Sequence, residues 1–249
     1  KQLWFNIEYK KNSKEFERRA VIDKLKQLKY KGGELFPEGV SIYVEDYDEV
    51  VPCCGFIDIS GDISSNVECV NKLVFEPENP QTIPYDVFAP IDQLSSLDEQ
   101  DEALAQLGLL LMPPQPSDNA ASKYYRDGGR KILTGALQAY YHTGYDFCEI
   151  CKLIISSSYE DIFYFIKDNY PSARSYTASF NGNDERNIAG CKAECDGAIA
   201  LFAQNHRLVN SVRRPKAGEE SVTPKVLESH KVFIAIDDVK LELYAPLLA

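Results

Sequence analysis

The sequence predicts an α/β fold in which a long helical region interrupts a parallel sheet. Short apolar segments typical of strands lie at residues 54–59 and 73–75, with a helix predicted to follow Asp62 and to end at about residue 70. A further apolar strand follows only at residues 232–236, and a final helix is predicted at 238–248. Because short strands that alternate with helices favour parallel pairing, we expect these strands to share one sheet.

Between the second and third of these strands the apolar residues recur at helical spacing only. The predicted helices cover residues 94–111, 124–141, 146–155, 159–167, 171–180 and 183–210. We therefore predict a sheet domain formed by residues 1–89 and 226–249, with an all-α domain inserted at residues 90–225. An insertion of this kind requires the two ends of the inserted domain to lie close together.

The predicted helix at residues 124–141 is central to the helical region. Its apolar face comprises Ile132, Leu133, Ala136, Leu137 and Tyr140. Asp118 or Asn119 can cap it by accepting hydrogen bonds from free backbone N–H groups. Gly128 and Gly129 lie inside the pattern, and each costs about 1 kcal/mol relative to Ala in a helix. Their presence indicates that another backbone packs against this helix.

Charge and composition limit the kinds of partner. The 249 residues carry a net charge of −11, with ten Lys or Arg against four Asp or Glu in residues 1–31. The remaining residues therefore carry −17, which disfavours a basic groove for the phosphate backbone of nucleic acids. Protein partners with basic surfaces fit better. No apolar run of about 18 residues is present, and seven cysteines without a secretory signal favour reduced thiols.

Arg126, Asp127, Arg130 and Lys131 form a candidate recognition site at the N-terminal end of the 124–141 helix. Arg126 and Arg130 are four residues apart and share a face. One interpretation is a salt bridge to an acidic neighbouring helix. The other is a contact with a partner protein or with nucleic acid.

Two further groups of charged residues have a simpler interpretation. The acidic stretch at residues 98–102 lies at the start of a predicted helix, where negative charge is favourable, and it could also dock a basic partner. Arg213 and Arg214 follow the end of the last predicted helix of this region, where positive charge is favourable, and a weak contact with phosphate or DNA is the alternative.

Four cysteines form two pairs, and the spacing within each pair places both thiols on one face of a predicted helix. Cys148 and Cys151 form one pair, and Cys191 and Cys195 form the other. Four thiolates on facing helices could bind Zn²⁺, whereas reduced cysteines are also among the most buried residues in protein cores. Both interpretations stay open from the sequence.

The histidines do not nominate a catalytic site. His142, His206 and His230 are far apart in sequence, and no spacing links one of them to a nucleophile and an orienting acid. We therefore predict surface or helix-end histidines and nominate no catalytic residue.

Several segments together resemble the TraG/TraD family of type IV secretion coupling proteins. Residues 75–79 (FEPEN) and 85–91 (YDVFAPI) are similar to the start of that family's all-α domain. Residues 124–135 (YYRDGGRKILTG) resemble its aromatic-Arg-Asp-small-small-Arg helix. Residues 232–248 (VFIAIDD, then KLELYAPLL after Val239) resemble the return to its nucleotide-binding domain.

The resemblance implies a partial P-loop-NTPase-like parallel sheet that carries the inserted all-α domain. In that family the complete protein is a membrane-anchored, DNA-stimulated hexameric ATPase that uses ATP and Mg²⁺. It brings relaxase–DNA complexes or effector proteins to the secretion channel at the cytoplasmic face of the bacterial inner membrane, working with other secretion components. Recognition of substrate and accessory proteins would then fall on residues 90–212, with DNA contacted indirectly.

The sequence also departs from that family. The 249 residues contain no phosphate-binding loop of the form G-x-x-x-x-G-K-[ST], and the segment 31–34 (KGGE) lacks the spacing. The family's Asp-Glu pair for Mg²⁺ lies beyond the equivalent of Ala249. We therefore expect no cofactor and no ATP hydrolysis in this chain alone. Asp58 and Asp62 are either the edge of a nucleotide site or caps of the following helix.

Three hypotheses of function follow. The chain is a recognition module without activity of its own, a fragment of the DNA-translocating ATPase that needs its phosphate loop, or a zinc-stabilised helical scaffold.

Overall fold

The fold is taken from a computed structural model. It describes residues 35–36, 39–40, 54–59, 62–66, 71–116, 119–223, 225–226, 229–237, 240, 243–244 and 247. Most of the first 50 residues, whose role the sequence does not reveal, lie outside the described residues, and so does most of the predicted final helix.

Three parallel strands form the sheet. The strands are β3 (Cys54–Ile59), β4 (Lys72–Phe75) and β5 (Lys231–Ile236), in the order β3-β5-β4. Phe233 of β5 lies opposite Phe56 on one side and Val74 on the other. The prediction that these strands share one parallel sheet is confirmed.

Two smaller elements accompany the sheet. The short strands β1 (Leu35–Phe36) and β2 (Gly39–Val40) pair antiparallel. Helix α1 (Asp62–Asn66) follows β3, and residues 67–70 of the predicted helix lie outside the described residues.

The region between β4 and β5 is helical. Its helices are α2 (Ala89–Asp92), α3 (Leu97–Leu111), α4 (Ala120–His142), α5 (Phe147–Ser156), α6 (Tyr159–Asn169), a 3-10 turn (Pro171–Ala173), α7 (Arg174–Ala178), α8 (Glu185–Gln204) and α9 (His206–Ser211). Within the described residues, no helix has both the length and the apolar character needed to cross a membrane.

The chain divides into two compact units. One comprises Lys1–Pro77 and Val222–Leu241, and the other, the helical unit, comprises Glu78–Ser221 and Glu242–Ala249. This division differs from the predicted boundary at residue 90, because the segment before α2 packs with the helices. Phe88 is fully buried there, with edge-to-face contacts to Tyr141 and Phe147.

Helix α4 is the core of the helical unit, and α8 packs against it at unusually short range. A Cβ atom at Gly129 would lie 2.7 Å from the carbonyl oxygen of Cys191 and 3.1 Å from the backbone nitrogen of Cys195. A Cβ atom at Gly128 would meet the thiol of Cys191. The predicted close approach of another backbone is confirmed, and it explains why both positions lack a side chain.

Polar side chains set the helix boundaries. Asn119 caps α4 by accepting a hydrogen bond from the backbone nitrogen of Ser122 at 2.9 Å. The prediction of a single helix over residues 183–210 is wrong, because the chain breaks at Asn205. The Asn205 side chain accepts hydrogen bonds from the backbone nitrogens of Arg207 and Leu208 and so starts α9.

The two ends of the helical unit are hydrogen-bonded to each other at a segment that we call the neck, formed by residues 85–92 and 211–219. The Tyr85 nitrogen donates to the Ser211 carbonyl at 2.7 Å, and the Arg213 nitrogen donates to the Tyr85 carbonyl at 3.1 Å. Tyr85 and Val212 thus form a parallel bridge. The chain therefore begins and ends its helical excursion at one place.

Side chains reinforce the neck. Arg214 donates to both carboxylate oxygens of Asp92, at 3.0 and 3.3 Å, and its guanidinium lies 5.3 Å from the ring centre of Phe88. The buried Tyr141 of α4 donates its hydroxyl to Asp92 at 2.7 Å. Asp92 therefore links both segments of the neck to the central helix α4.

Arg213 makes a second ion pair in the neck. It donates two hydrogen bonds to Glu219, at 2.6 and 2.7 Å, and this holds the pKa of Glu219 at about 2. The stability that this ion pair adds to the folded state is fully present above about pH 4.5 and is lost as the pH falls through about 2. Arg213 also donates to the Asn210 carbonyl in the last turn of α9 at 3.0 Å, as expected for a cation at a helix C-terminus. The carboxylate partners of Arg213 and Arg214 were not predicted from the sequence.

The α4–α8 contact predicts a strong effect of one added methyl group. Gly129→Ala places its Cβ against the Cys191 carbonyl, so we expect a loss of about 2 kcal/mol in the free energy of unfolding, as for overpacked cores. Gly197→Ala in α8 is the matched control, because nothing lies within 4 Å of its added Cβ. Urea unfolding should show the control unchanged or up to about 1 kcal/mol more stable. A Gly129→Ala protein as stable as the control would contradict the packing.

The neck predicts a difference between two changes at one position. Asp92→Ala removes the acceptor of both Tyr141 and Arg214, and we expect a loss of about 1–2 kcal/mol in the free energy of unfolding. Asp92→Asn keeps one acceptor oxygen for the Tyr141 hydroxyl and should lose less than half of that. Solvent screens the exposed ion pair between Arg214 and Asp92. Most of the difference in stability between Asp92→Ala and Asp92→Asn therefore comes from the hydrogen bond of the Tyr141 hydroxyl. Equal losses would show that the hydroxyl bond does not stabilise the neck.

Candidate partner-binding site

The predicted recognition residues lie in the first half of α4, which the neighbouring elements hold rigidly. The Asn119 cap starts the helix, and the two glycines seat it against α8. The ring of Tyr125 covers Gly190 of α8, and its hydroxyl donates to the Asn187 side chain at 3.2 Å. This half of α4 is therefore a fixed platform.

The four residues do not form a single charge cluster. Arg130 forms an ion pair with Asp127 on its own helix, and its side chain is only 18% exposed. Arg126 is half-buried, whereas Lys131 is exposed and donates to the Ser179 hydroxyl at 3.4 Å. The interpretation of Arg130 as a salt bridge to a neighbouring acidic helix is wrong, because its carboxylate partner lies one turn earlier on α4.

The outer surface of this half of α4 is polar and basic. Lys123 and Lys131 are exposed. Tyr124 is 44% exposed, and its ring makes an edge-to-face contact with the ring of Tyr125, with 5.4 Å between the ring centres. On other helices Arg174 of α7 and Arg186 of α8 are exposed, and so are Asp184 and Glu185 directly before Arg186. Residues 78–221 contain 20 acidic and 13 basic residues, so this basic surface belongs to a unit of net charge −7.

This surface is suited to binding. Ammonium and guanidinium groups donate hydrogen bonds and attract carboxylates or other anions. An exposed aromatic ring beside them supplies apolar contact area at small entropic cost.

A second cluster joins three helices and was missed from the sequence. Asp101 of α3 accepts from His142 Nε2 at 2.9 Å and from the Tyr170 hydroxyl at 2.8 Å, and the two rings stack at 4.3 Å. Burial and this bond raise the pKa of Tyr170. The helix-end position predicted for His142 is confirmed. Asp98 and Glu99 lie in the first turn of α3, where the dipole interpretation placed negative charge. Asp101, in contrast, lies beyond that turn and binds the side chains of His142 and Tyr170.

The four helical cysteines are free and buried. Burial raises the pKa of the Cys148 and Cys195 thiols to about 12, and the Cys148 thiol donates to the Val212 carbonyl at 3.2 Å in the neck. Among the residues that the structure describes, no group of three His, Cys, Asp or Glu side chains could hold a metal ion. The thiols are placed for core packing, and their placement does not support the zinc alternative.

Asp58 and Asp62 lie where the sequence placed them, in β3 and at the first position of α1. Their side chains are outside the described residues. The sequence has no phosphate-binding loop, so these 249 residues do not supply the lysine and backbone amides that hold nucleotide phosphates in a P-loop site.

Comparison with known proteins gives a match in structure only. No protein-family model matches the sequence, and no curated protein matches it. The solved structures of bacterial conjugative coupling proteins do match.

Three solved structures illustrate this match. TrwBdeltaN70 in a trigonal form with sulphate is 12% identical, with a TM-score of 0.56 over 79% of this chain and 43% of that chain. Its unbound monoclinic form is 13% identical, with a TM-score of 0.58 over 81% and 43%. TrwB in complex with ADP and Mg²⁺ is 12% identical, with a TM-score of 0.58 over 81% and 44%.

The chain thus spans less than half the length of the solved structures that it matches. At this identity the likeness is one of fold. The chain has a TraG/TraD-like coupling protein fold.

Proposed function

We propose that the helical unit is the substrate-recognition portion of a type IV secretion coupling protein, which recruits relaxase–DNA complexes or secreted effector proteins to the conjugation channel. One observation carries this proposal. The helical region lies in the chain between β4 and β5, which are adjacent strands of a parallel sheet, within a coupling-protein fold. This arrangement supports an all-α domain inserted into a nucleotide-binding domain.

The chemistry of the helical unit supports protein recognition. The first half of α4 presents Arg126 and Lys131 on a platform fixed by the α8 contact. The net charge of −7 for residues 78–221 disfavours strong contact with a DNA backbone. DNA would therefore reach this unit through the relaxase that carries it, and other secretion components are further partners.

Nucleotide chemistry is assigned to the complete protein. A solved structure of TrwB contains ADP and Mg²⁺, and another contains a non-hydrolysable GTP analogue. By likeness of fold, the complete protein here would bind ATP and Mg²⁺ as a hexamer at the cytoplasmic face of the membrane. The alternative function, a fragment of the DNA-translocating motor, is supported by the parallel sheet and by these nucleotide complexes.

The recognition surface predicts a specific loss of partner binding. In the full-length protein, Arg126→Gln with Lys131→Gln removes two positive charges from α4, and we expect at least a 10-fold lower conjugative transfer. Capture of the relaxase or effector from donor cells should fall in parallel. The matched control, Lys152→Gln with Lys167→Gln, removes two positive charges from exposed positions of α5 and α6 and should transfer normally.

Two results would count against the proposal. Normal transfer by the α4 variant, at unchanged protein level, would remove this surface from recognition. Tight, Mg²⁺-dependent ATP binding by the 249-residue chain would favour the motor alternative, and an isothermal titration with ATP measures it.

A further inference from the structure

Helix α3 exposes an unusual amount of apolar surface. Leu97, Leu109 and Leu110 are 60%, 46% and 55% exposed. A single exposed leucine is ordinary, but adjacent exposed leucines on one helix are typical of a surface that binds something.

The inner side of α3 is already used by α4. Leu104 is fully buried, and Gly108 lies so close to Thr134 that an added Cβ would be 2.6 Å from its hydroxyl oxygen. The exposed leucines therefore lie outside the contact that attaches α3 to the helical unit.

A second apolar stripe runs along α3 beside its buried side. Ala103, Leu107 and Leu110 follow the spacing i, i+4, i+7, which places them on one side of the helix. Ala103 and Leu107 are partly buried, and Leu110 is 55% exposed. An apolar stripe with this spacing is typical of a helix surface that packs against a second helix.

Three exposed acidic residues lie N-terminal to the stripe on α3, and of these Glu99, four residues before Ala103, lies on the side of the stripe. Asp98, Glu99 and Glu102 are exposed, while Asp101 turns inward to His142. Within the described residues, no lysine or arginine forms an ion pair with these three outward carboxylates. At about 1.5 Å per residue, Asp98, Glu99 and Glu102 precede Leu109 and Leu110 by roughly 10–18 Å along the helix axis.

We propose that this outer face of α3 binds a basic amphipathic helix of a partner polypeptide. Apolar side chains of the partner pack on Leu107 and Leu110, and its lysines or arginines pair with Glu99 and Glu102. Charge complementarity selects this occupant, because the carboxylates stand beside an apolar stripe and at one end of it. The inference rests on the proposed function and names the chemical class of its partner segment.

The test uses a synthetic 15-residue helical peptide as the probe. The peptide has leucines at i, i+4 and i+7 near one end and lysines near the other, and a shuffled peptide of the same composition disperses the leucines around the helix. Fluorescence anisotropy measures the binding of each peptide to the complete chain. We expect the patterned peptide to bind at least 10-fold more tightly than the shuffled one, with binding weakened by added salt.

Variants of the protein locate the site. Leu110→Gln with Glu99→Gln and Glu102→Gln should weaken binding of the patterned peptide at least 10-fold. The matched control is Tyr164→Gln with Glu160→Gln and Asp168→Asn on α6, where Tyr164 is 66% exposed, and it should change binding less than 2-fold. Circular dichroism and Tm check that both variants fold. Equal weakening by the two variants, no weakening, or equal binding of both peptides would overturn the proposal.

Three further outcomes are distinguishable. If sedimentation shows that the chain self-associates, and Leu110→Gln abolishes it, the face is a contact between copies and the proposal is overturned. If the α3 variant transfers normally in the full-length protein while the α4 variant does not, this inference fails and the proposed function stands. If neither variant affects transfer or partner capture, the proposed function itself fails.

Discussion

The structure of the helical unit depends on the pairing of its two ends in the neck. Tyr85 and Val212 are far apart in the chain, yet hydrogen bonds of 2.7 and 3.1 Å join their segments. Closing so long a loop has an entropic cost, and each added doubling of length contributes only about 0.6 kcal/mol to it. A few strong contacts are therefore sufficient, and Asp92 supplies them by accepting from Arg214 and the buried Tyr141.

A second constraint is the close contact of α4 with α8. The absence of side chains at Gly128 and Gly129 brings two helix backbones together, and Tyr125 repeats the arrangement by packing on Gly190. Close packing of this kind fixes the orientation of α4, because two tightly packed helix backbones leave few alternative positions. The basic outer surface of α4 is thereby presented in one geometry. A recognition surface benefits from such rigidity, since less freedom is lost on binding.

Local patterns in the sequence predicted the regular elements well. The strand at residues 54–59 is found at the predicted bounds, and the Asn119 cap and the glycine contact follow from local chemistry. The break at Asn205 was missed because the apolar spacing continues through it. The Asp92–Arg214 pair joins residues that are 122 positions apart, and the inward turn of Asp101 depends on His142 and Tyr170. Partners this distant leave no local signal, and charges near helix ends instead suggest a dipole interpretation. The recognition role of the α4 residues stays a prediction.

The central claim is that the helical unit is a separable insertion that recognises partners. Because Tyr85 and Arg213 are hydrogen-bonded neighbours, a short Gly-Ser linker can replace the chain between them in the full-length protein. The decisive measurement is the amount of relaxase or effector captured from donor cells by this shortened protein, alongside its thermal unfolding with and without ATP and Mg²⁺. The account predicts that partner capture is lost while nucleotide still raises Tm. Undiminished capture by the shortened protein would contradict it.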